Sequence, residues 1–489
     1  MTVLAASTLE PVLVRLESEL SRWGVPGLEL AVVQDGAPVF AGGVGLANIQ
    51  TGAPVTASTL FDHGSCGKAF TSLLAVLLAE DGVIDLDVPV RTYVPELRLP
   101  DQVVAERVTI RDLLSHRSGL GRNDLAWIFN PSWSREECVR RLAHLPMAGD
   151  LRGQWDYSNF GYTLAGLAIE RATGSTFEEQ ITKRVLEAAG MTRANASTEA
   201  LIADADHAQP YRLVDGQPVV TEFRDMPATE PAGGVNSCAD DSAHWLLVQL
   251  GQGAIGVDVV RRTQQPQMAI PDMPFPFPEF HLYAYGLGWV VSTYRGRHAL
   301  WHTGGVDGFF TYTFVLPDEG IGAIASANVL ETSLPQAAVL DIVDALLGHS
   351  GETPWVERMH PDTLKAAAEA AATAAGASAA PVAETPKPRE PESAPPAHAL
   401  DAYVGRFSND GFGDLEVRID AGALVLRFGE FDLVTKHRSF ETWDLHYVAL
   451  NADATVSFFT DASGVVAEAV VDFEHADEPL RCVRTGEAT

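Results

Sequence analysis

Ser65 and Lys68 stand three residues apart in Gly64-Ser65-Cys66-Gly67-Lys68, and Lys68 is the only lysine before Lys183 in the chain. The stretch 69–80 has few helix breakers and places Phe70, Leu73, Leu74, Leu77 and Leu78 at helical spacing, which predicts a buried or half-buried helix opened by Ser65. Residues three apart share a helix face, so the Lys68 ammonium comes within reach of the serine hydroxyl. Unpaired N–H groups and the positive dipole end of that first turn favour negative charge on or beside the serine. A nucleophile, a proton acceptor and an electrostatic aid would then share one turn. Taken alone, Ser-x-x-Lys is a weak signal that reads first as a serine N-cap followed by a solvated lysine.

Two further groups of residues add to it. Tyr157-Ser158-Asn159 follows Arg152-Gly153-Gln154-Trp155-Asp156 and precedes an amphipathic run, 162–172, that closes at Gly174, so it occupies a loop entering a helix. Trp301-His302-Thr303-Gly304-Gly305 lies between strand-like runs at 285–293 and 309–316, the second followed by the turn Pro317-Asp318-Glu319-Gly320. A tyrosine becomes a general base where a nearby cation lowers its pKa from ~10. Lys68 is the cation expected to do so.

With these three elements in hand, the chain resembles the serine β-lactamase and penicillin-binding-protein-like hydrolases, in the branch of class C β-lactamases and D-Ala-D-Ala carboxypeptidases that also holds D-aminopeptidases and esterases. The resemblance extends over about residues 10–350. It includes Phe61-Asp62-His63-Gly64, the stretches 82–89 and 108–120, Ala232-Gly233-Gly234-Val235, Tyr285-Gly286-Leu287-Gly288-Trp289 and a strand ending in Asn328. It implies that Ser65 attacks a carbonyl and carries the acyl group, with Lys68 and Tyr157 sharing the proton traffic. It further implies an oxyanion hole from the backbone N–H groups of Ser65 and Gly305. Asn159 would orient a substrate amide. Thr303 and Gly304 would lay an edge strand along the substrate, with Gly305 approaching closely because it lacks a Cβ. No cofactor or metal is implied.

Departures from the family pattern narrow the substrate. The class A branch uses Ser-x-x-Lys, Ser-Asp-Asn and Lys-Thr-Gly; here the second place holds Tyr157-Ser158-Asn159, and His302 stands where the third motif often has lysine. A neutral or half-charged imidazole attracts a carboxylate less than an ammonium does. That points away from β-lactams and D-Ala-D-Ala carboxypeptides, toward the aminopeptidase and esterase members. Cys66, behind the serine, reads as a small core residue. His63 and His116 read as loop-holding residues.

A length of 489 residues leaves room for two or three domains, and the formal charge of −31 argues against nucleic acid or an anionic membrane as partner. Cys66, Cys138, Cys238 and Cys482 lack paired spacing, so free thiols are expected. Residues 1–20 carry Glu10, Arg15, Glu17 and Glu19 without the marks of a secretory signal, and no later stretch has 18 uninterrupted apolar residues, so a cytoplasmic protein is expected.

The pattern along the chain predicts an opening helix at 9–23, a hairpin of 28–33 and 38–44 around Gln34-Asp35-Gly36, a mostly helical middle from 59 to 251, strands between 285 and 328, and a helix at 334–347. This is an α/β fold: an antiparallel sheet flanked by helices with an all-helical subdomain, β-lactamase-like, over 1–360. Residues 361–398 read as an Ala/Pro-rich linker, 381–396 semi-extended, and 271–278 as an irregular Pro/aromatic loop. Residues 399–489 alternate at 415–419, 424–428, 432–436, 456–460 and 467–473, predicting a small all-β barrel or sheet, and the run from Leu400 to Phe407 resembles a lipocalin-like C-terminal domain of some family members. That domain is expected to join oligomer contacts or narrow the active-site entrance, with a filled core or a ligand cavity inside. The expected function is a serine hydrolase acting on a small peptide or amide substrate, including one with a D-residue. A carboxylesterase is the second reading, a non-catalytic binding module the third. Assembly as a homo-oligomer is among the expectations.

Overall fold

A computed structural model describes residues 3–271, 277–365, 394–447, 452–473 and 478–486. The loop read at 271–278 and the linker read at 381–396 lie largely outside the described residues.

The N-terminal part is built on a nine-stranded sheet. Its order is Ala53–Pro54, Ala37–Asn48, Gly27–Gln34, Ile321–Ala327, Phe309–Leu316, Arg297–Val306, Val290–Tyr294, Phe280–Tyr285 and Met268–Ala269, with antiparallel neighbours throughout. The first hairpin turns where expected, because Asp35 and Gly36 both take positive φ (51° and 82°), the conformation a two-residue hairpin turn demands. Side chains alternate across a strand, so Leu28, Leu30 and Val32 face a core shared with the helices Val3–Trp23 and Leu334–Leu346. Ala31 and Val33 face the opposite core, shared with Gly67–Glu80 and Ala239–Gln249. Glu29, on the second face, is fully buried.

Between the two sheet halves, the middle of the chain is mostly helical as expected; its strands are a small hairpin, Tyr211–Val214 with Gln217–Val220, and the short pair Phe61–Asp62 with Asn236–Ser237. The run at 285–293 is not one strand. It is two, Phe280–Tyr285 and Val290–Tyr294, joined by a turn in which Gly286 N donates to Trp289 O. Gly288 takes φ 78° there, and a Cβ on it would lie 2.6 Å from Lys68 O.

The C-terminal part is a closed barrel of eight antiparallel strands, Gly405–Asn409 through Leu480–Gly486, with the first strand pairing the last. The five alternating segments read from sequence are all strands; Gly405–Asn409, Thr442–Tyr447 and Leu480–Gly486 are the three not read. Apolar side chains fill its interior, among them Phe407, Val417, Leu426, Phe428, Val456, Phe458 and Val471. Phe129, from the helical subdomain, belongs to this same core.

Candidate active site

Ser65 lies in a 3-10 turn, Gly64–Cys66, and the α-helix proper runs Gly67–Glu80. The serine therefore lies two residues before the helix, with Cys66 between, instead of opening it. Gly64 takes φ 49°, and its N–H is held by Asp62 Oδ1 at 2.8 Å. Gly64, Cys66, Gly67 and Lys68 are buried, while Ser65 is partly exposed, so the turn presents one hydroxyl to the cleft.

Beneath the turn, His63 Nε2 meets Glu29 Oε1 at 2.9 Å, both side chains buried. Burial pushes the Glu29 carboxyl up, opposed by the His63 bond. Cys66 Sγ points to His302 O at 3.4 Å, and burial pushes its thiol up to about 12. It is an inert core thiol, and all four cysteines are buried and unpaired.

Lys68 is wholly buried and donates to Ser65 Oγ (3.0 Å), Asn159 Oδ1 (2.8 Å) and Ala232 O (2.7 Å). Burial lowers its pKa to about 7, with Asp124 pulling the other way and Arg122 adding to the fall. Its amine also lies 4.9 Å from the Tyr157 ring centre. An amine lowered this far is populated as free base near neutral pH. Tyr157 moves in the opposite direction: burial raises its phenol above the ordinary value, with the neighbouring Ser65 hydroxyl and Arg122 only partly offsetting this. The expectation that Lys68 turns Tyr157 into the base is thus corrected. Burial disfavours both charged forms, leaving a neutral phenol and an amine ready to accept a proton.

The loop bearing Tyr157 is held by the 108–120 segment. Thr109 caps the short helix Ile110–Leu114 in a capping box with Asp112. Asp112 takes Arg117 Nε at 2.7 Å and both Arg152 Nε and Nη2 at 2.9 and 2.8 Å. His116 accepts from Ser158 N through Nδ1 (3.1 Å), its carbonyl takes Asp156 N (2.8 Å), and its ring lies 4.3 Å from that of Tyr157. Asn159 then starts the helix Asn159–Thr173, which Gly174 ends at φ 68°.

The third element enters along Arg297–Val306. Its ladder with Val290–Tyr294 ends at the Val290–Trp301 pair, whereas that with Phe309–Leu316 continues to Val306. Residues 302–306 therefore form an edge facing the serine turn. A Cβ on Gly304 would stand 2.0 Å from His63 O and 3.0 Å from Ser65 N, whereas one on Gly305 would meet only Leu330 Cδ1, at 2.9 Å. The close approach that demands glycine is at Gly304, not at Gly305 as the sequence suggested. It brings Gly305 N to where a Cβ on Gly64 would be 3.0 Å from it. Both Ser65 and Gly305 line the cleft, as do Tyr157, Asn159, His302 and Thr303; Gly304 is buried behind them.

His302 is 4% exposed and its ring nitrogens are both engaged: Nδ1 with Thr303 O at 2.6 Å, Nε2 with Tyr285 OH at 2.8 Å. Nδ1 is then the protonated nitrogen, donating to the carbonyl, and Nε2 accepts from the phenol. Burial and the nearby Lys68 hold its pKa down to about 3. It is uncharged at neutral pH.

The cleft has a volume of about 990 Å³ and is walled by aromatic rings of Trp127, Trp155, Tyr285 and Trp301. Phe431, Leu433 and Tyr447 of the barrel also line it.

A family model described as Beta-lactamase matches residues 13–346. The chain belongs to the Beta-lactamase family. It is therefore a member of a serine hydrolase family, and its barrel region, residues 389–484, matches a second model described as a domain of unknown function, DUF3471. This β-lactamase-family protein is 28% identical over 433 residues to "Unguisins hydrolase ungD'" of Aspergillus campestris, covering 83% of this chain and 77% of that one. It is 24% identical over 325 residues to "Protein flp" of Staphylococcus aureus, covering 66% and 63%. Among solved structures, the octameric penicillin-binding protein homologue from Pyrococcus abyssi superposes with a TM-score of 0.64 at 22% identity, covering 97% of this chain and all of that one. The D-alanine carboxypeptidase AmpC from Burkholderia cenocepacia gives 0.55 at 25% identity, covering 70% and 99%. Those likenesses span the antiparallel sheet with its helical subdomain, and the first also spans the barrel. No helix among the described residues is long and apolar enough to cross a membrane.

Two site residues of this β-lactamase-family protein escaped the sequence reading. Asp124 receives Asn159 Nδ2 and Trp127 Nε1 on Oδ1, both at 3.0 Å, and Arg122 Nε on Oδ2 at 2.6 Å. Nothing in Gly121-Arg122-Asn123-Asp124 separates it from a surface loop. Glu29 did leave a signal: a lone carboxylate inside the otherwise apolar run 28–33.

Proposed function

We propose that this protein hydrolyses an amide or ester bond in a small peptide or amide through an acyl-enzyme on Ser65. The observation that carries the reading is a buried Lys68 amine 3.0 Å from Ser65 Oγ, with its pKa brought to about 7. As the Ser65 Oγ–carbonyl carbon bond forms, the hydroxyl proton passes to the Lys68 amine, and the oxyanion rests on the N–H groups of Ser65 and Gly305. Collapse breaks the bond to the leaving group, which takes its proton from Lys68 through the neutral Tyr157 hydroxyl. A water then attacks the acyl carbon by the same route reversed, releasing the acid and Ser65. Asn159 orients the Lys68 amine and, with Thr303 and the edge beyond it, lines the path of the substrate backbone.

The uncharged His302 supports a substrate lacking a free carboxylate beside the scissile bond, since nothing at that position supplies the ammonium that would pair with one. The name of the Aspergillus relative supports hydrolysis, and the likeness to a D-alanine carboxypeptidase favours a peptide, including one with a D-residue, over a simple ester, though here one without the free carboxylate of a carboxypeptidase substrate. The test compares N-acyl D-alanyl and L-alanyl amides with the matching free-acid dipeptides and a chromogenic cephalosporin. The amide should exceed its free-acid counterpart by roughly tenfold in kcat/KM, and His302→Lys should narrow that gap. Fast wild-type turnover of the cephalosporin, or preference for the free acid, contradicts the substrate assignment.

A further inference from the structure

The helix Leu125–Phe129 is a single short segment clamped at both ends. At its start, the Asp124 carboxylate holds Asn159, which in turn holds the Lys68 amine. At its end, Phe129 is fully buried among barrel rings, 4.3 Å from Phe428, 5.1 Å from Tyr447 and 5.5 Å from Phe473. The seat is specific to the backbone as well. Phe129 O accepts from Glu430 N at 3.0 Å, and Gly429 (φ 55°) leaves room that a Cβ would fill, 2.0 Å from that same carbonyl. Asn130 Nδ2 donates both to Ala126 O (2.7 Å), closing the helix, and to Phe412 O of the barrel (3.0 Å).

Asp124 and Phe129 are five residues apart, a helical rise of about 7.5 Å. Ile128 N donates to Asp124 O and the Trp127 indole to the Asp124 carboxylate, so the segment moves as one body. We propose that the barrel is a working part of the catalytic site: Phe129, seated in the barrel, sets the position of Asp124, which through Asn159 holds the Lys68 amine on Ser65. Asp124 and Phe129 are positioning residues. The inference rests on the acyl-enzyme reading.

The Lys68 amine is faced by Ser65 and Cys66 from its own turn, by the Tyr157 and Tyr162 rings and Asn159, and by Ala232 O. The charges bearing on it are Asp124 and Arg122, with His116 and His302 held neutral nearby. Moving Asp124 away removes the negative charge that holds the amine's pKa up, so the apparent pKa of the amine falls. It also loosens the amine over Ser65, and a displacement of about 1 Å costs about 10²-fold in rate.

The test is a double-mutant cycle in the full-length chain, following fluorophosphonate labelling of Ser65 against pH. Phe129→Ala and Asp124→Ala should each lower the plateau rate by about 10²-fold and shift the apparent pKa down, and the double variant should be no slower than Asp124→Ala alone. Phe129→Leu should restore most of the loss. Should Phe129→Ala fail to fold, Asn130→Ala, which drops the bonds to Ala126 O and Phe412 O and keeps the ring, takes its place in the cycle. A wild-type plateau and pH profile in the folded variant, or effects that multiply in the double variant, overturn the proposal. Failure of the wild-type chain to label at all sinks the acyl-enzyme reading instead.

Discussion

At the level of single residues, the site works by burial. Lys68 has no exposed surface, and its pKa of about 7 lies below the ordinary 10.5 because desolvation outweighs the pull of Asp124. A lysine whose folded pKa is lowered binds fewer protons folded than unfolded. Its cost to stability is thus full below about pH 7 and fades as pH rises toward the unfolded value. That cost is on the order of a few kcal/mol at acid to neutral pH, reduced by its three hydrogen bonds. Lys68→Met is accordingly expected to be inactive in labelling yet to match or exceed the wild type in denaturation midpoint at pH 6, with the difference shrinking by pH 9–10. A variant that loses stability equally at both values speaks against a strained, desolvated amine. Ser65, Lys68 and Tyr157 were legible in sequence because their spacing is local or their motif short. Asp124 was not, since its meaning comes from Asn159, far along the chain, and the direction of the Tyr157 shift depends on burial that no motif records.

At the level of elements, the sequence carried the hairpin at Asp35-Gly36, the serine helix and the C-terminal alternation, because each has a period or a turn residue of its own. It did not separate the strands on either side of Gly286, where the apolar run continues through the turn. The strand bearing His302 shows the same limit. Two adjacent glycines are visible, but only the crossing with His63 tells which must be glycine. Gly304→Ala would force a Cβ to within 2.0 Å of a backbone carbonyl and should cost about 3 kcal/mol or more, with loss of Ser65 labelling. Gly305→Ala meets a single leucine methyl and should fold with a midpoint close to wild type. Thermal unfolding of the two variants side by side checks this; a reversed order would place the tight crossing elsewhere.

At the level of the whole molecule, the two parts share a core residue and a cleft. A ligand cavity in the barrel was one reading of the alternating strands; instead, side chains fill the interior, and Phe129 completes it from outside. That could not be read from sequence, where Phe129 is one apolar residue in a short helix some three hundred positions away. A chain ending at Pro381 should keep its sheet and helices by circular dichroism, but exposing Phe129 and Ile128 removes burial worth about 1.5–3 kcal/mol for the phenylalanine alone. Its melting point should fall. Removing Phe431, Leu433 and Tyr447 from the cleft lining should also raise the kcat/KM ratio of bulky to small p-nitrophenyl esters. Wholesale unfolding of the shortened chain, or an unchanged ester ratio, would contradict this picture of the junction.

The central claim is an acyl group on Ser65 set up by Lys68, and intact-mass analysis after fluorophosphonate or p-nitrophenyl ester treatment tests it without knowledge of the substrate. One adduct per chain is expected, mapping to Ser65, absent in Ser65→Ala and slowed ~10²–10⁴-fold in Lys68→Ala. The labelling rate should climb with pH through about 7, as the Lys68 amine loses its proton, and then level off. An adduct on another serine, or a Lys68→Ala variant that labels as fast as the wild type, contradicts the account.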